Sequence, residues 1–205
     1  MSPDEHLRRL VRHSAPEFGT ARPGAGADRA RAGRGAARLY AGGMADSIPD
    51  QLPARSRLVE TALRAAGIAG EIVLLPDSAA TAPLAAAALG VEVGAIANSL
   101  VFFSDGEPLL VMTSGAHRVD TSALAQRLGR QKIARATPEQ VRAATGQAIG
   151  GVAPAGHPAP VVTVVDRALA DFPQIWAAAG TPHAVFPLTF AELVHLTRGT
   201  VERVD

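Results

Sequence analysis

Hydrophobic and polar positions alternate with two different periods along this chain, and the switches between them mark out its elements. Residues 54–66, ARSRLVETALRAA, place Leu58, Thr61, Ala62 and Ala65 on one helical face, and Gly67 supplies the stop. Glu71–Leu75 is a short strand closed by Pro76. A helix from about Thr81 to Leu89 ends at Gly90. Ile96–Phe103, IANSLVFF, reads as a strand, Asp105-Gly106 as a hairpin turn, and Pro108–Thr113 as the returning strand. Asp120 is a good cap for the helix TSALAQRLG, and Lys132–Arg135 is a short strand. Thr137, Pro138 and Gln140 combine a cap, a helix-start proline and a capping-box glutamine, opening a helix that ends near Gly146. Pro160–Asp166 and Gln174–Ala178 read as buried strands, and Thr189 caps a last helix, Phe190–Arg198. The sum is six or seven strands and four or five helices with hairpins. That pattern predicts an α+β domain built on a single mixed sheet with flanking helices.

The pattern begins only near Gln51. Residues 14–43 are dominated by Gly, Ala, Arg and Pro and keep neither period, so they bury too little to offset their ordering entropy. The expected organisation is a disordered N-terminal extension over 1–50 and a folded domain over 51–205. Two other readings of the extension stay open: a basic arm that meets RNA, and an upstream start with Met44 as the true first residue. No continuous apolar segment follows the early basic residues, so it does not read as a secretory signal.

Charge sharpens this division. The formal net charge is +1, but residues 1–43 hold eight arginines against four acidic residues, while 44–205 hold twelve basic against fifteen acidic residues. The domain therefore lacks the basic surface that grips long duplexes, and DNA is not an expected partner. There are no cysteines, which excludes disulfides, thiolate metal sites and a cysteine nucleophile. Aromatic residues make up 4% of the chain, so aliphatic side chains and alanine must fill the core. No apolar run is long enough to cross a bilayer, and a cytoplasmic location is expected.

Three segments could carry chemistry. Asn98-Ser99 places two polar residues inside an apolar strand, which is costly unless they are satisfied or face a pocket. The run from Ala148 to Pro158 sets Gly150, Gly151 and Gly156 among Pro154 and Pro158, which suits a rigid loop with exposed backbone N–H groups. In Ala179-Gly180-Thr181-Pro182-His183 a strand breaks at Gly180 and presents one histidine. Each segment alone has a blander reading: a satisfied core amide, a plain turn, and a surface or capping histidine. The histidines after Met44 lie at no metal-ligand spacing from one another, so a zinc site is not expected.

In this order the three segments resemble the YbaK/EbsC family, the bacterial insertion-type domains associated with prolyl-tRNA synthetase. The likeness runs from about Leu58 to Arg198. It includes Asn98-Ser99-Leu100-Val101-Phe102, the hairpin from Gly106 to Asp120, Thr145-Gly146 before the Gly150–Pro154 loop, and Ala179-Gly180 with His183. The resemblance implies a free-standing hydrolase that cleaves the ester of a misacylated tRNA, such as tRNA for proline carrying a small wrong amino acid. The implied partner is the aminoacyl-tRNA 3′ end, with a synthetase as a further candidate, and the resemblance implies no metal or cofactor. Asn98, Gly150 and His183 are the implied catalytic residues, and Ser99, Gly151, Pro154 and Gly180 the implied substrate-binding ones. The departure is Asn98, where the family usually carries lysine. Losing one charge-assisted hydrogen bond costs about 1.5–3 kcal/mol, and losing an electrostatic stabiliser of a transition state costs ~10²–10³ in rate. Asn98 therefore leaves a second class open, a non-catalytic binder of aminoacyl-tRNA or of an aminoacyl ligand.

Deleting residues 1–43 is expected to leave the melting temperature nearly unchanged. A large drop in a thermal melt of the truncated chain would show that the extension packs on the domain.

Overall fold

The computed structural model describes residues 52–77 and 79–205; the expected extension over 1–50 lies outside them. Five helices and eight strands follow the order α1 (Ala54–Ala65), β1 (Val73–Leu74), α2 (Ala82–Leu89), β2 (Ile96–Ser104), β3 (Glu107–Ser114), α3 (Thr121–Arg127), β4 (Ile133–Arg135), α4 (Pro138–Thr145), β5 (Val162–Asp166), β6 (Ile175–Ala178), β7 (Ala184–Leu188), α5 (Phe190–Thr197) and β8 (Thr200–Glu202). The strands make one mixed sheet in the order β1-β7-β6-β2-β3-β5-β8, with β4 also pairing with β2. The α+β class is as the sequence predicts. The eight strands exceed the six or seven expected: β7 and β8 are absent from the strand ranges read from the sequence, and β8 is a three-residue edge piece, too short for alternation to announce it.

Local signals explain most boundaries. Asp120 accepts from the N–H groups of Ser122 and Ala123 and starts α3. Thr137 with Gln140, and Thr189 with Glu192, form complete capping boxes at α4 and α5. Helix α5 stops at Thr197 rather than Arg198, because Arg198 takes a left-handed conformation at φ 50°.

Alternation along the strands sorts side chains onto two faces. On the first face Ala97, Val101, Leu110, Met112, Val165 and Phe186 pack with Val59 and Leu63 of α1, Val141 of α4 and Leu193 of α5. The second face is divided. Ile96, Trp176 and Val185 lie under α2, while Phe102, Leu109, Val111 and Val164 lie under α3. Asn98 falls between Ile96 and Phe102 on that face, in the interval between the two clusters.

Helix α1 faces differently from its expected register. Ser56, Val59 and Leu63 are buried, whereas Leu58 is 59% exposed and Thr61 is exposed as well. The stripe Val59-Leu63-Ala66, at spacings of four and three, carries more apolar bulk than Leu58-Ala62-Ala65, and the larger stripe takes the core. Leu63→Ala is therefore expected to cost ~2–5 kcal/mol, and Leu58→Ala less than about 0.5 kcal/mol. Denaturant unfolding of the two variants checks this, and equal losses would contradict the assigned face.

Candidate functional site

Strand β2 is central, and its pairing is uneven. Along one edge it pairs with β3 over its whole length, from Ala97↔Ser114 to Ser104↔Glu107. Along the other edge it runs parallel to β6 only at Ile96 and Ala97, and antiparallel to β4 only from Phe102 to Ser104. Between these two partners the sheet is split beside Asn98–Val101. Alternate residues of a strand turn their backbone groups to the same edge. Val101 accepts from Ala136 N on the β4 side at 3.2 Å, and Ala97 registers with Ala177 of β6 on that edge. The N–H and C=O of Ser99 therefore face the opening.

A cavity of about 310 Å³ occupies this split. Its walls are Asn98 and Ser99 of β2, Trp176 and Ala178 of β6, Ala82 and Ala85 of α2, and Gly150 with its neighbours Ile149 and Val152. Alanines of α2 and of the loop before it line one side, so a narrow apolar wall meets a polar strand. The volume lies at the small end of ligand pockets. Among the described residues Asn98 forms no side-chain hydrogen bond, so it is not a satisfied core amide. Ser99 donates to the sulfur of Met112 at 3.2 Å.

The glycine loop is held against both neighbouring segments. Gly150 has φ +85°, and a Cβ there would lie 3.0 Å from the Ala80 Cβ. A Cβ on Gly151 would stand 2.6 Å from the Thr181 backbone, so only glycine lets the loop pack on the turn before His183. That turn supports the cavity rim in its own right: Pro182 O accepts from Ala79 N at 2.8 Å, and His183 O accepts from Leu75 N at 2.7 Å. Gly180 has φ +89°, and a Cβ there would lie 3.1 Å from the Arg55 backbone. The three segments singled out in the sequence thus meet in space.

Their side chains divide. Asn98, Ser99 and Gly150 line the cavity. Gly151, Pro154 and Gly180 are buried and lie outside the lining; Gly151 packs the loop on the turn. The imidazole of His183 is exposed and lies outside the cavity lining, so the contribution of this residue seen here is the backbone support of the rim.

Two supports had no signal in the sequence. Gln147 is buried; its Oε1 accepts from Ala153 N at 2.6 Å and its Nε2 donates to Ala155 O at 3.3 Å, clamping the loop. Asp166 is fully buried on β5 and accepts from Thr113 Oγ1, Ser114 N, His117 Nδ1 and Ala168 N at 2.9–3.3 Å. It fixes the end of β3, where Gly115 N donates to Ile96 O and Gly115 joins the cavity wall. Among the described residues no group of three or more His, Asp or Glu could hold a metal ion, and no helix is long and apolar enough to cross a membrane.

His157 Nε2 donates to the carbonyl of Ala153, inside the glycine loop, at 2.9 Å. Burial lowers the His157 pKa below 6.5, against a smaller opposing effect of that hydrogen bond. A base with a depressed folded pKa binds its proton more readily when unfolded. Its contribution is thus fully present above the unfolded value and is lost as pH falls below about 6.5. Melting temperature is expected to decline over that range more steeply for wild type than for His157→Gln, which keeps a donor to Ala153. Parallel pH profiles would contradict this.

Known proteins resemble this chain in sequence, and one of them in structure. The family model described as the aminoacyl-tRNA editing domain matches residues 76–196. A crystal structure of a candidate trans-editing enzyme for prolyl tRNA synthetase superposes with a TM-score of 0.71 at 41% identity, covering 76% of this chain and 99% of that one. The uncharacterized protein YwhH of Bacillus subtilis is 32% identical over 124 residues, 60% of this chain and 78% of that protein. A proline–tRNA ligase of Nitratidesulfovibrio vulgaris is 37% identical over 68 residues, 33% of this chain but only 12% of the ligase.

Proposed function

The chain belongs to the aminoacyl-tRNA editing domain family, and from that premise we propose that it is a free-standing trans-editing hydrolase cleaving the ester of a misacylated tRNA. The observation that carries the reading is the split beside β2. There a small cavity collects the Asn98 amide, the backbone of Ser99 and the Gly150 loop at one wall, and alanines at the other.

The chemistry required is ester hydrolysis. Water adds to the ester carbonyl, the bond to the ribose oxygen breaks, and the proton of the water ends on that hydroxyl. No carboxylate, histidine or lysine lines this cavity among the described residues. The residues therefore act by positioning and hydrogen bonding rather than by supplying a base. Asn98 donates through its side-chain amide, and Gly150 and Ser99 offer backbone N–H groups where negative charge develops on the carbonyl oxygen. Water is held by these backbone groups and by the substrate's own vicinal ribose hydroxyl. The alanine wall from α2 receives a small amino-acid side chain, which suits the error a synthetase rejects poorly by size. His183 and Gly180 hold the rim, and Gly151 and Pro154 hold the loop.

A second reading is favoured by one observation: Asn98 stands where the resembled motif carries lysine. A cavity that binds the aminoacyl end without turnover is the alternative. Single-turnover deacylation of a panel of misacylated tRNAs separates the two. Wild type is expected to hydrolyse a tRNA bearing a small amino acid. Asn98→Ala is expected to lower the rate by ~10²–10³, and Ala85→Leu to reduce it by filling the cavity. Silence from wild type with turnover by Asn98→Lys would move the protein to the binding class, and silence from both would remove the hydrolase.

A further inference from the structure

A second cavity, about 80 Å³, adjoins the first and shares Ser99, Leu100, Ile149, Gly150 and Val152 with it. The two form one trough along the unpaired edge of β2, ending where β4 begins. Arg135 lines this far end. It is the one charged side chain, among the described residues, that lines either cavity. Its guanidinium is exposed and makes no ion pair or hydrogen bond to another described residue. The other cations of the region, Arg118 and Lys132, line neither cavity. Glu139, close by in sequence, lines neither as well.

The register sets the spacing. The Cα of Arg135 is opposite Phe102, four residues from Asn98, or about 13 Å along the strand. Arg135 is too far away to replace the missing lysine at Asn98. It stands instead at the end of the trough away from Asn98, in the direction in which a chain threaded through the trough would leave the first cavity.

We propose that the Arg135 end of the trough is a phosphodiester subsite, which takes the sugar-phosphate backbone of the RNA 3′ end next to the terminal nucleoside. The proposal rests on the editing reading for the identity of the ligand. A guanidinium meets a phosphate with two parallel hydrogen bonds, which an ammonium cannot reproduce. The trough contains no carboxylate to compete with the phosphate, so a single cation suffices to give the site its sign. In a domain carrying three more acidic than basic residues over 44–205, the RNA contact is local and centres on this residue.

The test uses the full chain and two probes: a single-stranded oligoribonucleotide ending in CCA and carrying no amino acid, and a 3′-aminoacyl adenosine without phosphate. Arg135→Ala is expected to weaken oligonucleotide binding by about tenfold. It should also flatten the slope of log affinity against log salt by about 0.7, the value of one phosphate contact on a single strand. Arg135→Lys should keep the salt slope and lose part of the affinity. Hydrolysis of the phosphate-free ester should be the same in all three proteins. Unchanged oligonucleotide binding in Arg135→Ala overturns the subsite, and so does an equal loss on both probes, which would mark a merely structural residue. If wild type hydrolyses no ester at all, the editing reading falls, and the oligonucleotide titration still decides the subsite by itself.

Discussion

The functional architecture follows from one constraint on the sheet: β2 cannot keep a single neighbour along its second edge. β6 leaves after Ala97 and β4 arrives at Phe102. A strand edge left unpaired inside a domain is ordinarily a liability, because its N–H and C=O groups lose water without gaining partners. Here the interval opens onto a cavity, where those groups stay available to a ligand. The same interval separates the two apolar clusters of the second face. Asn98 thus sits where neither α2 nor α3 covers the sheet. A polar residue in an otherwise apolar strand is tolerated at that point because there is no core above it.

The surrounding structure keeps the opening in shape. Glycines at 150 and 151 bring the loop into contact with Ala80 and with the Thr181 backbone, and Gln147 ties the loop from behind. On the far side Asp166 gathers four donors from β3, its turn and the following segment. A buried carboxylate is stable only when so satisfied, and its satisfaction fixes the end of β3 and hence Gly115 at the cavity wall. Backbone and amide groups preorganised in this way cost little reorganisation when charge appears on a substrate.

Helices α3, α4 and α5 were legible because their caps are local: Asp120, Thr137 with Gln140, and Thr189 with Glu192 act within four residues. The hairpin at Asp105-Gly106 was legible for the same reason. The buried face of α1 was not, since Leu58 and Val59 are both apolar and only the packing against Phe186 and Leu193 chooses between them. At the site, Asn98-Ser99 and Gly150 stood out through polarity and glycine in apolar surroundings, and the fold brings them to one cavity. Gln147, Asp166 and Arg135 did not stand out. Each becomes meaningful only through partners 6 to 53 residues away or through a sheet register, and nothing in the spacing reports these. His183 was legible as a residue beside a strand break, but the direction of its side chain was not.

Asn98, where the resembled motif carries lysine, then has a physical reading that does not depend on loss of function. A lysine inside this cavity would bring an unpaired charge among alanines, Trp176 and Ile96, with no carboxylate at hand, and burying it would carry a desolvation cost. Asparagine keeps a donor at that point without the charge. The one charged side chain lining the trough, Arg135, lies at its exposed end, where it keeps its hydration. Under the editing reading and the proposed phosphodiester subsite, the chain would separate two tasks that one lysine would combine: a neutral donor at the ester, and a cation at the RNA backbone.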